Sequence, residues 1–299
     1  MKTIASISLG SSARDFEVEA EFGGQRFRLL RLGTDGSLGE YRSLLEEWDE
    51  KADALALGGI DLYVRQGQRV YTFRDAARLA RGLKKPVVDG SGLKATLERD
   101  AVRFLAEQGV LKFEGLPVLL VAGIDRFGLA EELRDRHCEL VLGDMMFALG
   151  VPVAFTRWWQ FLLAGKLLLP IIVRLPFKWI YPTGEKQETT KPRFGKWYKW
   201  AELICGDFHF IRKYLPERLE DKYILTNTIT SADRQLLKER GLKALITTTP
   251  SFGGRSLGTN VLEGVVLLLS GATQYDPARY EAVLDELKLQ PEVSWLQEG

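Results

Sequence analysis

The chain has 299 residues, enough for two domains and a well-buried core. Apolar residues make up 45% and charged residues 27%, the balance of an ordinary globular protein, which excludes a disordered, collagen-like or disulfide-stapled chain. With 41 Lys and Arg against 40 Asp and Glu the net charge is +1, so no overall field selects nucleic acid or an acidic partner.

The N-terminal third reads as mixed α/β. Ile4–Leu9 is a strand candidate. Phe16, Val18, Ala20 and Phe22 alternate up to Gly23-Gly24 and Phe27–Leu32 follows, which predicts a hairpin. Leu38–Trp48 has helical spacing, and Ala52–Leu57 is a short buried strand ending at Gly58-Gly59. Leu62–Val64 and Arg69–Phe73 flank Gln66-Gly67 as a second hairpin. A helix over Phe73–Leu83, a strand at Pro86–Val88 and a long helix over Leu93–Gln108 complete this part.

After Gly115 strands and helices alternate. The strands are Leu116–Ala122, Cys138–Leu142, Ala201–Cys205, Tyr223–Thr226 and Ala244–Thr247. The helices are Gly128–Arg136, Met145–Leu149, one near Phe210–Leu215, Ser231–Arg240 and Thr259–Leu269, with an irregular stretch over 155–200. Apolar strands separated by amphipathic helices of about ten residues predict a parallel sheet covered on both faces. The expected fold is therefore α/β with two domains. Residues 1–114 form an N-terminal α/β substrate domain, and 115–275 a Rossmann-like doubly wound domain with a helical, Trp-rich insertion at 155–200. Residues 276–299 carry a C-terminal helix, Pro277–Leu287, returning to the first domain.

Cys138 and Cys205 have no metal-ligand spacing, and the first residues, MKTIASISLGSS, are too polar for a secretory signal. Trp158–Ile180 is interrupted by Lys166, Pro170, Arg174, Pro176 and Lys178, so it is a poor membrane span. A reduced, cytoplasmic setting is expected.

Five stretches carry chemistry. The turn Gly123-Ile-Asp125-Arg126-Phe-Gly128 joins a buried strand to a helix, where a dinucleotide fold puts its glycine loop, but reads G-x-D-x-x-G. Asp125 would oppose a pyrophosphate unless Arg126 or a cation compensates. Asp144, 21 residues after Gly123, stands where an acid binds a ribose 2′-hydroxyl and favours NAD over NADP. Asp207 and His209 follow the next strand as an acid–base pair, with a helix N-cap by Asp207 as the plain structural alternative. His137 reads as structural. Thr247-Thr248-Thr249, and Arg255 in the Gly-rich loop beyond, suit an anionic substrate. Lys94, in the first turn of a helix after Asp89-Gly-Ser-Gly92, meets the unfavourable end of the helix dipole and is a candidate to polarise a substrate hydroxyl or carbonyl, with a solvated surface Lys as the plain alternative; the loop Gly58-Gly59-Ile60-Asp61 is similar in composition and suits a cleft. Finally, 156–200 holds five of the seven Trp residues and nine basic against two acidic residues, as expected of a lid, a contact between copies of the chain, or a membrane or nucleic-acid surface, the first two favoured.

The stretches Ser6–Ser12, Leu57–Tyr63, Val88–Lys94, Arg174–Trp179, Tyr181–Lys186, Gly206–Arg212 and Thr247–Pro250 resemble a group of bacterial proteins labelled quinate 5-dehydrogenase over nearly the whole chain. The resemblance implies NAD(P)-dependent oxidation of a cyclic polyol acid. The layout is also similar in part to shikimate dehydrogenases. Lys94 stands in a place comparable to their catalytic Lys, whereas their N-T-D-x-x-G run is absent from this sequence.

The resulting expectation is an NAD(P)-dependent oxidoreductase on a small hydroxy or oxo acid. Lys94, His209 and Asp207 would be catalytic. Gly123, Asp125, Arg126, Gly128 and Asp144 would hold NAD or NADP, and Arg255, Thr248 and Asp61 would hold substrate. No metal is called for. Two other readings stay open: a non-redox transferase or lyase using a nucleotide or phosphorylated ligand, and a non-catalytic ligand-binding or regulatory protein.

Overall fold

Strand β1 (Lys2–Ser8) is the middle of a five-stranded sheet in the computed structural model, which describes residues 1–176, 190–227, 229–249, 251–252 and 255–297, with the backbone alone at 95, 251, 252, 255 and 256. Ile4 to Ser8 are all buried, so the run is continuous rather than alternating, as a strand covered on both faces requires. β2 (Phe16–Phe22) and β3 (Gln25–Gly33) form the expected hairpin, with Phe22 paired to Gln25. Gly23 and Gly24 both take positive φ, the geometry of a two-residue turn that matches strand twist. β4 (Ala54–Gly58) lies on the other side of β1, and β7 (Val87–Val88) beyond it. The order is β2-β3-β1-β4-β7, parallel except for β2. Between β4 and β7, β5 (Tyr63–Gln66) and β6 (Arg69–Thr72) make the second hairpin.

The second sheet holds β8 (Pro117–Leu120), β9 (Glu139–Leu142), β10 (Leu203–Cys205), β11 (Tyr223–Thr226), β12 (Ala244–Thr247) and β15 (Glu292–Trp295). Its order is β15-β12-β11-β10-β8-β9, parallel except for β15. Val118, Leu120, Leu203, Cys205 and Ile246 enter one apolar cluster. Leu119, Val121, Ile204, Ile224 and Leu245 enter another. Alternate residues of each strand thus feed two cores, one on each face. A separate pair, β13 (Ser251–Phe252) and β14 (Arg255–Ser256), is antiparallel.

The chain forms two compact units, each discontinuous in sequence. One comprises Met1–Lys94, Leu169–Lys186 so far as described, and Leu257–Leu289. The other comprises Ala95–Leu168, Gln187–Ser256 so far as described, and Gln290–Gly299 so far as described. In the first, the helix Thr259–Leu269 is pinned to the sheet by Asn260, whose Nδ2 donates to Ser6 Oγ (2.9 Å) and to the Leu57 carbonyl (3.0 Å).

The stretch expected to be irregular over 155–200 contains a helix at Trp158–Ile172 and another at Gly195–Trp200. Trp179, Lys178, Glu185, Lys186 and Glu188 lie outside the described residues. No helix among the described residues is long and apolar enough to cross a membrane.

Candidate functional site

Each polar residue at the carboxyl ends of β8, β10 and β11 is placed by the end of a strand or the start of a helix. The chain runs from β8 to β9 on one side and then to β10 on the other, so the loops leaving β8 and β10 diverge, the place where open parallel sheets bind ligands. Gly206 leaves β10 with φ +133°, and a Cβ there would lie 2.5 Å from Val121 Cγ2, so only glycine fits. The turn delivers Asp207 as N-cap of the helix Phe208–Lys213, where its Oδ1 accepts from the His209 main-chain N–H at 2.8 Å. The bond between these residues is therefore the capping one, and the His209 imidazole is exposed.

The second oxygen of Asp207 faces inward. Arg126 Nη2 lies 3.3 Å from it and Asn227 Nδ2 3.4 Å. Arg126 is 1% exposed, and its Nη1 pairs with Glu98, itself 3% exposed. A guanidinium is tolerated in such a place only when carboxylates match it, and here two do. Asn227 follows β11 directly. Its Oδ1 accepts from Thr226 Oγ1 (3.2 Å) and its carbonyl from Thr249 Oγ1 (3.0 Å). The result is a connected network, Glu98–Arg126–Asp207–Asn227–Thr226, whose inner members are buried and whose outer two, Asp207 and Asn227, are partly exposed.

The glycine turn is organised around Asp144. Its Oδ1 accepts from the Ile124 N–H at 2.8 Å. The residue as a whole is only partly buried, but its carboxyl is shut in, and that desolvation pushes its pKa up to about 6. A Cβ on Gly123 would meet Leu142 at 3.0 Å and both Asp144 and Phe161 at 3.3 Å, so the turn is packed closely on its own unit. Asp125 is partly exposed, and Gly128 lies in the first turn of the helix Phe127–Asp135. Thr248 is buried with its N–H on the Thr226 carbonyl. The backbone of Arg255 lies in β14, and its side chain falls outside the described residues.

In the other unit, Lys94 forms a 2.8 Å ion pair with Asp61. Asp89, after β7, accepts from the N–H groups of Leu62 (2.6 Å), Tyr63 (2.8 Å) and Ser91 (2.9 Å). Gly90 has φ +93°, and a Cβ there would stand 3.1 Å from the Asn260 nitrogen. Its N–H donates to Glu263 Oε2 at 2.6 Å, and Tyr280 Oη lies 3.4 Å from the other oxygen. Burial, reinforced by the charge of Asp89, pushes the Glu263 pKa up to about 8. Sequence reasoning passed over Glu98, Asn227 and Glu263. Glu263 is the lone acid in its helix and stands among Val261, Leu262, Val265 and Val266, and Glu98 interrupts an apolar helical face, which are the signals of an acid held in a core.

A family model described as a domain of unknown function (DUF8754) matches residues 92–296. The chain belongs to this family. A second model, also a domain of unknown function (DUF8753), matches residues 3–89. No curated protein matches the chain. Among solved structures, it is similar to a glucose-galactose binding protein from Geobacillus stearothermophilus, with 10% identity over 99% of this chain and 97% of that chain and a TM-score of 0.41. A protein from Mycobacterium smegmatis in complex with β-D-fucofuranose has 13% identity over 99% of each chain and a TM-score of 0.37. The periplasmic binding component of an arabinose ABC transporter from Shewanella sp. ANA-3, bound to α- and β-L-arabinofuranose, has 11% identity over 95% and 96% and a TM-score of 0.37.

The resemblance to quinate and shikimate dehydrogenases is corrected by these findings. The two family models that match are domains of unknown function, and neither is a dehydrogenase family. The reading as an NAD(P)-dependent oxidoreductase of a hydroxy acid falls with it. The geometry supplies a physical reason: the cation expected to offset Asp125 is already matched by Glu98 and Asp207, and Asp144 is turned onto the backbone of the glycine turn.

Proposed function

We propose that this protein binds a small, uncharged, hydroxyl-rich molecule without chemical turnover, at the carboxyl ends of β8, β10 and β11. The observation that carries the reading is the charge balance of Arg126. One buried guanidinium stands between two carboxylates, so the described residues of the site hold hydrogen-bonding groups in fixed positions while this cluster carries no net positive charge. A pyrophosphate or carboxylate ligand would meet the partly exposed Asp207 first, and like charges in a partly desolvated site repel. A neutral polyol meets an acceptor at Asp207 and a paired donor and acceptor at Asn227, both prealigned by the buried groups behind them. In this reading the second unit is a Rossmann-like, doubly wound sheet and its reversal between β8 and β10 marks the binding edge.

The residues read as acid–base candidates have structural tasks that fit a binding role. Asp207 caps a helix and anchors Arg126, and Lys94 is paired with Asp61. Thermal-shift titration with a panel of neutral monosaccharides and polyols, and with NAD and NADP alongside, tests the proposal. A ligand at a hundred times its Kd adds about 2.7 kcal/mol of stability, which shifts the midpoint by several degrees. The expected result is a shift with a neutral polyol that Asn227→Ala abolishes. A shift with the dinucleotides and none across the neutral panel would overturn it.

A further inference from the structure

The helix Trp158–Ile172 leaves Trp159, Leu163, Leu167 and Ile171 exposed at 58%, 47%, 60% and 59%. Their spacing of four puts them on one stripe of the helix surface. Single exposed apolar residues are ordinary, but a contiguous stripe is not. Seven of the ten large apolar side chains exposed among the described residues fall between 149 and 171, including Leu149, Val151 and Val153 just before this helix. The buried side of the same helix is accounted for by Phe161, Gly165 and Leu169, so the stripe is additional to the side that packs inward.

Along the helix itself and the chain that flanks it the charge has one sign. Lys166 is exposed between Leu163 and Leu167, and Arg157 and Arg174 are exposed beyond the two ends of the helix. From 151 to 176 there is no Asp or Glu. A second copy docked face to face would set these cations against their own counterparts with no acid to offset them, so self-association is disfavoured. An anionic bilayer answers both features at once. Lipid headgroups take the cations, and the zone beneath them takes the apolar stripe, with Trp159 at the level where indoles prefer to sit.

We propose that the helix Trp158–Ile172 is a membrane-surface element that lies in the interface of an anionic bilayer, with Trp159, Leu163, Leu167 and Ile171 inserted and Arg157, Lys166 and Arg174 on the headgroups. Flotation of the full chain with vesicles at low salt tests this. With vesicles of phosphatidylcholine containing one third phosphatidylglycerol, the protein should float. With pure phosphatidylcholine, partitioning should drop by about a hundredfold, three cations contributing roughly fivefold each. The double variant Leu163→Glu/Leu167→Glu should lose at least about tenfold on the anionic vesicles, because two inserted side chains become charged. Lys166→Glu is the second variant; it tests the charge alone and should weaken anionic binding while keeping the native circular dichroism and melting midpoint. Failure of the wild-type chain to float, or flotation that neither variant reduces, overturns the proposal. So does a dimer by light scattering that Leu163→Glu/Leu167→Glu dissociates without any vesicle binding, which would assign the stripe to a second copy.

Discussion

Replacing Glu263 by Gln isolates the energetics of one buried carboxyl. Its pKa is raised from 4.5 to about 8, so between those values the folded protein holds a proton that the unfolded chain has released. The stabilisation is complete below 4.5 and is lost as pH rises through 8. At about 1.4 kcal/mol per pH unit, raising the pH from 5 to 9 costs the wild-type unit about 4 kcal/mol from this group. The glutamine side chain would have no proton to lose. It would keep an oxygen for the Gly90 N–H, but its amide nitrogen cannot accept from a main-chain donor as the second carboxyl oxygen can, a loss of about 1–2 kcal/mol at low pH. Glu263→Gln should therefore be less stable than wild type at pH 4 and more stable at pH 9, with the curves crossing between about pH 5 and 6. Urea titrations read by hydrogen exchange of the peptide spanning 259–269 would assign the transition to the unit that contains Glu263. Parallel wild-type and variant curves from pH 5 to 9 would refute the reasoning.

Arg126→Met should cost about 3–5 kcal/mol by chemical denaturation, because it leaves Glu98 buried without its cation, and adding Glu98→Leu should recover part of that loss. Gly206→Ala should cost more than about 2 kcal/mol by the same measurement, since a Cβ would press on Val121 and the φ of +133° disfavours any L side chain. Asp144→Asn should flatten the pH dependence of the melting midpoint below pH 6. The wild-type carboxyl contributes about 3 kcal/mol that is complete below its ordinary 3.8 and lost as pH rises through 6.

Much of the fold was legible because its signals are local. The hairpin of β2 and β3 is carried by two glycines that both take positive φ, and β11 and β12 each run through three buried apolar residues to a buried terminal Thr. The insertion over 155–200 was legible as helical, but the bounds of the helix Trp158–Ile172 were hidden by its own apolarity. Its buried side and its exposed stripe are both apolar, so no polar period marks the turns, and Pro170 within it reads as a break. β15 was missed for a different reason. Glu292–Trp295 alternates Val293 and Trp295 with polar residues, but four residues are too short a run to stand out, and it is held as a strand by pairing antiparallel with the edge of β12, nearly fifty residues earlier.

The carboxyl edge of the second sheet was legible in the sequence, but the charge pairing there was not. Glycines between a strand and a helix, with an acid after the next strand, locate the carboxyl edge of a parallel sheet from spacing alone. Spacing does not decide which way the acid points. Asp144 turns inward to the Ile124 N–H in a turn where Gly123 is closed in by Leu142 and Phe161, residues that the motif does not include. Nor does spacing show who neutralises whom. Arg126 stands beside Asp125 in the chain, yet Glu98, from the helix Ser91–Glu107, and Asp207, from the far side of β10, hold it. A basic residue in a glycine turn is read as an invitation to phosphate only when its counter-ions are unknown. Once two carboxylates are placed on it, the cation that the spacing offers to a phosphate is already matched within the protein.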